Sequence, residues 1–339
     1  MSKLIRQNSV YIENKDILAI TKVLKSSWVA GGRQVKELEN NFKNYFSAED
    51  CCAVSSGTAA LFLALKCFKL KDGSSIGIPS YTCSALLNAI YMLRLEPIIF
   101  DIEKDSYLTK FDKPNKCDLV IPVHTYGNLI NTKKIQCKNI IEDCCHVISE
   151  KKKKTKNLKI FSFYATKTLQ SGHGGLICGP KKEIENIRDY ISFDNRKKYK
   201  PRFNFLLSDI NAALVNSQFK RLQKIKKKKN IMFNSFCKVI PKDWQIQYGF
   251  EKDAVPYKFV INGPSKKEKI RLQNYLKKNF IESTSPLKKF ELLHNYLRLN
   301  SKNFPNAEKI SETSLSLPFH YGLKDHEIKK IILTLENYK

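Results

Sequence analysis

The chain has 339 residues, with 60 Lys and Arg against 32 Asp and Glu, and a formal net charge of +28. Hydrophobic residues make up 42%, enough for a sizeable core in two domains, or in one large domain with an appendage. Apolar stretches such as Ala59 to Leu65 are too short to span a bilayer, and "MSKLIRQNSVYIENKD" lacks an apolar signal core, so a cytoplasmic protein is expected.

In chain order, "KDILAITKVL" (15–24) places Ile17, Leu18, Ile20, Val23 and Leu24 at helical spacing, and "RQVKELENNFKNYF" predicts a second helix. "CCAVSSGTAALFLALKCF" reads as strand, glycine turn and helix. "SSIGIPSY" predicts a strand, "SALLNAIYMLRL" a helix, and "EPIIFDI", "CDLVIPVH" and "KNIIED" three further strands. After "KIFSF" and "GGLICGP" comes a helix over "KKEIENIRDYISF". A long helical stretch follows, "LSDINAALVNSQFKRLQKIKKKKNIMFNSF", of a length that often bridges domains. Beyond Pro241 the pattern predicts a strand "YKFVI", a helix "KKEKIRLQNYLKKNF", a mobile polar region and a last helix "DHEIKKIILTLENY". The alternation predicts an α/β fold, a mostly parallel mixed sheet flanked by helices in a large domain (1–238), with a small C-terminal α/β domain (239–339).

The positive charge sits in runs such as "KKKKTKNLK" (151–159) and "QKIKKKKN" (223–230). Neither run is interleaved with aromatics or carries a nucleic-acid motif, so both read as solvated surface, although their field would also attract anionic substrates. The 10 cysteines show no C-x-x-C spacing, and Cys67, Cys117 and Cys178 lie in apolar surroundings, as small buried hydrophobes do. Cys144, Cys145 and His146 are adjacent, but no second ligand pair follows at zinc spacing, so no metal site is expected.

In parallel sheets ligands bind beyond the carboxyl ends of the strands, which nominates Ser55–Thr58, Pro79–Cys83, Asp101, His124–Gly127 and Asp143–His146. "SSGTAAL" ends a strand and opens a helix, whose free N–H groups suit a phosphate or simply carry an N-cap. Asp143 ends the apolar strand "NIIED", where a carboxylate needs a partner. Lys167 stands alone, five residues after Ser162 and just before the turn "GHGG". Phosphate cup, buried acid and isolated lysine together meet the needs of pyridoxal 5′-phosphate (PLP). A lysine holds it as a Schiff base, an acid keeps its pyridine nitrogen protonated, and a helix N-terminus takes its phosphate.

The order and spacing of these motifs resemble the DegT family of PLP-dependent sugar aminotransferases, in the aspartate-aminotransferase fold (fold type I). "SSWVAGGRQVKELENNF" is similar to the family's N-terminal signature, and "SSGTAAL" to its phosphate turn, which implies cofactor contacts by Gly57 and Thr58. "PSYTCSALLNAI" resembles the segment over the cofactor ring, with Cys83 where many relatives carry an aromatic, and "VHTYGN" the strand end that follows. "IEDCCH" resembles Glu-Asp-x-Ala-(Gln/His), which implies Asp143 at the pyridine nitrogen and His146 near the ring hydroxyl. "FSFYATK" resembles Ser-Phe-x-x-x-Lys, which implies Ser162 on the phosphate and Lys167 as the Schiff-base and proton-transfer lysine. "RFNFLLSDINAAL" resembles the stretch whose Asn, here Asn204, reaches the partner subunit's cofactor, which implies a homodimer with shared active sites. "SLSLPFHYGLKDHEIKKI" is similar to the closing Leu-Pro turn and final helix.

Two further departures bear on substrate handling: His173 replaces a glutamate in Gly-Glu-Gly-Gly, and Leu206 replaces an arginine. Tyr81, His173 and His320 are the expected substrate contacts. The resemblance implies amino transfer from glutamate to a nucleotide-linked keto sugar, as in amino-sugar biosynthesis for surface glycans. Alternatives are a small phosphorylated ketone as acceptor, or a basic nucleic-acid-binding or regulatory protein on a PLP fold. A related PLP-dependent sugar dehydratase would carry histidine in place of Lys167.

Overall fold

The computed structural model describes residues 4–149, 156–246 and 254–338, so residues 151–155 of the first lysine run lie outside the described residues. Helices α1 (Asn14–Lys25) and α2 (Arg33–Phe46) precede β1 (Asp50–Val54), α3 (Gly57–Cys67), β2 (Ser75–Pro79), α4 (Ala85–Met92) and β3 (Glu96–Phe100). Two short strands, β4 (Leu119–Val120) and β5 (Ile141–Asp143), lead to β6 (Leu158–Ser162), β7 (Gly175–Gly179) and α5 (Lys181–Ile191). Then come α6 (Asp209–Phe219), α7 (Leu222–Cys237), β8 (Gln245–Ile246), β9 (Phe259–Asn262) and α8 (Lys266–Lys278). The chain closes with α9 (Leu293–Tyr296), α10 (Pro305–Thr313), β10 (Ser314–Leu317) and α11 (Asp325–Glu336).

Strands pair in the orders β1-β7-β6-β5 and β3-β2-β4, and parallel bridges Val120↔Ile140 and Val123↔Asp143 join the two sets into one surface. Among these described strands only β7 runs against its neighbours. The sheet is covered on both faces, so its strands read as near-continuous apolar runs. Along β1, Cys52 and Val54 join the core beneath α3, α4 and α5, while Cys51 and Ala53 join the core beneath α2, α6 and α7. Helix α3 lies inside this sandwich, with every residue from Ala59 to Leu65 buried. A separate antiparallel sheet, β10-β9-β8, builds a third core with α8 and α11. No helix among the described residues is long and apolar enough to cross a membrane.

Four expectations need correction. "CDLVIPVH" yields a strand only at Leu119–Val120, because Pro122 has no N–H to continue a ladder. The long helical stretch is two helices, interrupted at Arg221 (φ −108°, ψ 14°). There the guanidinium forks onto both oxygens of Asp16 on α1, at 2.7 and 2.6 Å, and local periodicity holds no record of that distant partner. The polar region after residue 280 is packed into the fold: Leu292, Leu293, Phe304, Ala307 and Ile310 are buried beneath its charged surface. Within "QKIKKKKN", Lys229 is not solvated surface but 4% exposed, since Ile225, Lys229, Met232 and Phe236 share the inward stripe of α7.

Candidate active site

The parallel strands deliver their carboxyl ends to one side of the sheet, and a cavity of about 370 Å³ opens there. That lies within the size range of small-molecule and cofactor sites. Gly57, Thr58, Cys83, Asp143, His146, Ser162, Lys167 and His173 all line it. Residues brought from five separate stretches of chain thus meet in one space.

Its phosphate-like end is built by the start of α3. Ser56 caps the helix by accepting the Ala59 N–H at 3.0 Å, which leaves the first-turn N–H groups of Gly57 and Thr58 without a preceding carbonyl. Ser162, at the end of β6, lies against this turn. A Cβ on Gly57 would sit 2.9 Å from Ser162 Cβ and 3.1 Å from its Oγ, so only glycine allows the approach. Behind the turn, Gly174 (φ +139°) adopts a backbone that side chains avoid, and it also lines the cavity.

At the other end Asp143 is 4% exposed and accepts the Cys145 N–H on Oδ1 at 2.9 Å. No lysine or arginine among the described residues forms an ion pair with it. A buried carboxylate in that position calls for a cationic N–H from a ligand. His146 follows on the same loop, its ring stacked between Tyr257 (4.5 Å, 17°) and Tyr126 (5.7 Å, 15°). Burial, reinforced by Lys167 and Lys258, pushes the imidazole well below its usual pKa, so it is neutral. Its Nδ1 is buried and has no hydrogen-bond partner. An orphaned nitrogen of this kind needs a polar group from a ligand, and the ring hydroxyl of PLP is one.

Lys167 Nζ lies over the Tyr257 ring, 5.1 Å from its centroid. Burial works against the ammonium, but Tyr257, Cys145, Cys83 and Asp143 outweigh it and hold the pKa above the ordinary lysine value. The amine thus rests charged, facing one buried acid. Orphaned Nδ1, unpaired carboxylate and glycine-lined cup together fit PLP.

Other expected contacts lie elsewhere. Tyr81 is 2% exposed and lines neither this cavity nor the one beside it; it is packed into a cluster with Tyr107 and Tyr126, whose hydroxyl donates to its own at 3.2 Å. His320 lines the neighbouring cavity, not this one. Asn204 is exposed on a surface loop. Tyr257 and Lys258 are not nominated from sequence, whereas Tyr126 and Cys145 fall within nominated strand-end stretches without a role of their own. Tyr257 and Lys258 come from a distant stretch with no motif, whereas Cys145 was visible in "IEDCCH" beside Asp143.

Strand alternation turns Glu142 and Cys144 away from Asp143, toward His124, with ligand atoms of all three within 4.8 Å of one another. His124 Nδ1 accepts the Ile130 N–H at 3.1 Å, so Nε2 carries the proton and meets Glu142 at 3.2 Å. Both imidazole nitrogens are thereby committed to protein partners. Burial alone would raise the Glu142 pKa, but His124, Lys159 and Asn157 bring it down to about 2.

A model of the DegT/DnrJ/EryC1/StrS aminotransferase family matches residues 10–336. GDP-perosamine synthase of Vibrio cholerae is 25% identical over 93% of this chain and 94% of its own. The PMP form of Spr1654 from Streptococcus pneumoniae superposes with a TM-score of 0.89 at 20% identity, over 98% of this chain and 97% of that one. S. venezuelae DesV, solved with a ketimine intermediate, gives a TM-score of 0.88 at 18% identity, over 99% and 98%. The sheet order, the cavity and the motifs at its rim therefore share one explanation: the chain belongs to the DegT/DnrJ/EryC1/StrS aminotransferase family and is a PLP-dependent transaminase.

Proposed function

We propose that the protein transfers an amino group from glutamate to a keto sugar linked to a nucleotide. The observation that carries this reading is the cavity itself, where one lysine amine faces a buried carboxylate beside a helix N-terminus built for phosphate. The likeness to a GDP-perosamine synthase supports a nucleotide-linked acceptor, and the surplus positive charge suits a diphosphate. When bound, PLP supplies an aldehyde carbon that takes up nitrogen and a ring that accepts electrons from the substrate carbon.

The chain's own groups do the rest. The Gly57 and Thr58 N–H groups and the Ser162 hydroxyl hold the phosphate, and Asp143 holds a proton on the ring nitrogen. His146, kept neutral, accepts a hydrogen bond at Nδ1. With PLP bound, Lys167 Nζ as the neutral amine would take the proton from the donor's α carbon, acting as general base and then as general acid. His173 and Cys83 border the space left for substrate.

The same reading makes residues 1–238 the cofactor-binding domain and 239–339 the small domain of a cytoplasmic enzyme. It also makes the enzyme a homodimer. Supporting this, Trp28 and Val29 on one loop and Leu206 on an adjoining one, two residues from Asn204, are 62%, 46% and 47% exposed. The loops are tied together by the Asp209 N–H, which donates to the Val29 and Ala30 carbonyls.

The test is to load the protein with PLP, convert it with glutamate, and offer the aminated form a panel of keto sugar nucleotides. Return of the yellow colour with one of them is expected. Lys167→Ala should abolish both the near-visible absorbance of the lysine-bound cofactor and all turnover. A Lys167→Ala variant that still turns over sinks the assignment.

A further inference from the structure

A second cavity, of about 180 Å³, shares Thr166 and Lys167 with the first as a common wall. Among the described residues, its lining includes three basic groups, Lys167, Lys229 and His320, and no Asp or Glu. Lys229 reaches it from the apolar stripe of α7, at a position where a hydrophobic residue would be expected. Its Nζ has one hydrogen-bond partner, the Tyr257 carbonyl at 3.0 Å, and lies over the Phe319 ring, 4.9 Å from the centroid. Among the described residues, two of its three N–H donors are therefore without an acceptor.

His320 faces the same problem. Its Nε2 meets the Arg6 carbonyl at 3.3 Å and so carries a proton, while Nδ1 is buried with no partner. Burial pushes the pKa of His320 down, and the ammonium groups of Lys229 and Lys228 push it further; the Arg6 carbonyl and Glu327 only partly oppose them. A buried ammonium without a carboxylate is costly, and two mutually repelling basic groups cost more. An anion between them would relieve both.

Size decides which anion. The cavity is below the range of sites that take drug-sized ligands, so it suits a carboxylate and a few methylenes, not a nucleoside diphosphate. Position decides which carboxylate, since the occupant would lie beside the amine that handles the donor's α carbon. We propose that this cavity takes the side-chain carboxylate of the amino donor, with Lys229 as its cationic partner, and so selects a dicarboxylic amino acid. The proposal rests on the aminotransferase reading and gives its donor preference a structural origin.

The experiment follows bleaching of the PLP-loaded protein by L-glutamate and by L-norvaline, which lacks the second carboxylate. Lys229→Met preserves volume and removes the charge. Wild type should prefer glutamate, and the variant should reduce the ratio of the two kcat/KM values by roughly 10- to 100-fold, the usual cost of losing one partner of a charge-assisted hydrogen bond. In parallel, glutarate should raise the melting temperature of the wild type and not of Lys229→Met, with butyrate inert on both. A wild type without donor preference, or a variant that slows both donors alike, overturns the subsite. A wild type bleached by neither amino acid overturns the donor reading instead. The glutarate shift then still decides the cavity: a shift that persists in Lys229→Met, or is absent from the wild type, removes Lys229 from any carboxylate site.

Discussion

His146 and Tyr257 stack face to face, 4.5 Å between centroids and 17° from parallel, although they come from distant parts of the chain. The same tyrosine lies beneath Lys167 Nζ, and its carbonyl holds Lys229. One residue thus touches the ring beside the cofactor, the reacting amine and the second cavity.

Tyr257→Ala should therefore weaken cofactor binding while Tyr257→Phe keeps it. A stacked aromatic pair is worth about 0.5–1.5 kcal/mol beyond its buried area, which predicts a rise in PLP Kd of up to roughly tenfold. Fluorescence titration of the apoprotein measures it. An alanine variant that binds PLP as tightly as wild type would show that the stack does not position His146.

Lys229 predicts a particular pH dependence of stability. Burial lowers its pKa from 10.5 to about 7 in the folded protein. The unfolded chain then binds more protons than the folded one between pH 7 and 10.5, so stability rises with pH in that window. Below pH 7 the full penalty applies, at most about 5 kcal/mol from the size of the shift. Lys229→Met should accordingly be more stable than wild type at pH 6, with the advantage fading toward pH 10. The neighbouring titratable groups, His320, Lys228, Tyr257, Tyr321, Tyr11 and Lys167, are common to both proteins. Urea unfolding at pH 6, 8 and 9.5 gives the comparison, and a pH-independent difference contradicts a charged, buried Lys229.

Arg221 should be essential to stability because it holds the fully buried Asp16. Burial would raise the Asp16 pKa, yet Arg221, the Glu13 backbone and Ser217 bring the net below the usual value. Arg221→Met strands that carboxylate and should cost about 3–5 kcal/mol, whereas the double variant Asp16→Leu with Arg221→Met should regain most of it. Chemical denaturation distinguishes the two, and equal losses in both would mean that the pair acts through packing rather than charge.

Trp28→Glu combined with Leu206→Asp should turn a dimer into a monomer and lower the activity. Placing carboxylates in a desolvated apolar contact is the physical cause. Sedimentation velocity on both proteins checks it; a wild type that sediments as a monomer at micromolar concentration removes the shared active site.

Gly57, Thr58, Asp143, Ser162 and Lys167 were legible in the sequence because each belongs to a short local pattern: a strand end, a turn and a helix start. Alternating elements also fix which strand ends can meet, since parallel strands joined by helices must point the same way. What the sequence by itself determined was thus the chemistry at the strand ends and the layered fold that gathers them. Only the tertiary structure decided the second ring of residues. Tyr257 meets His146, Arg221 meets Asp16, and Lys229 alone of its lysine run turns inward, through contacts between segments far apart in the chain. Such contacts depend on how helices and sheet pack, and neither residue type nor spacing records them. The lone lysine that the sequence placed in one cavity is, in the folded protein, the wall between two.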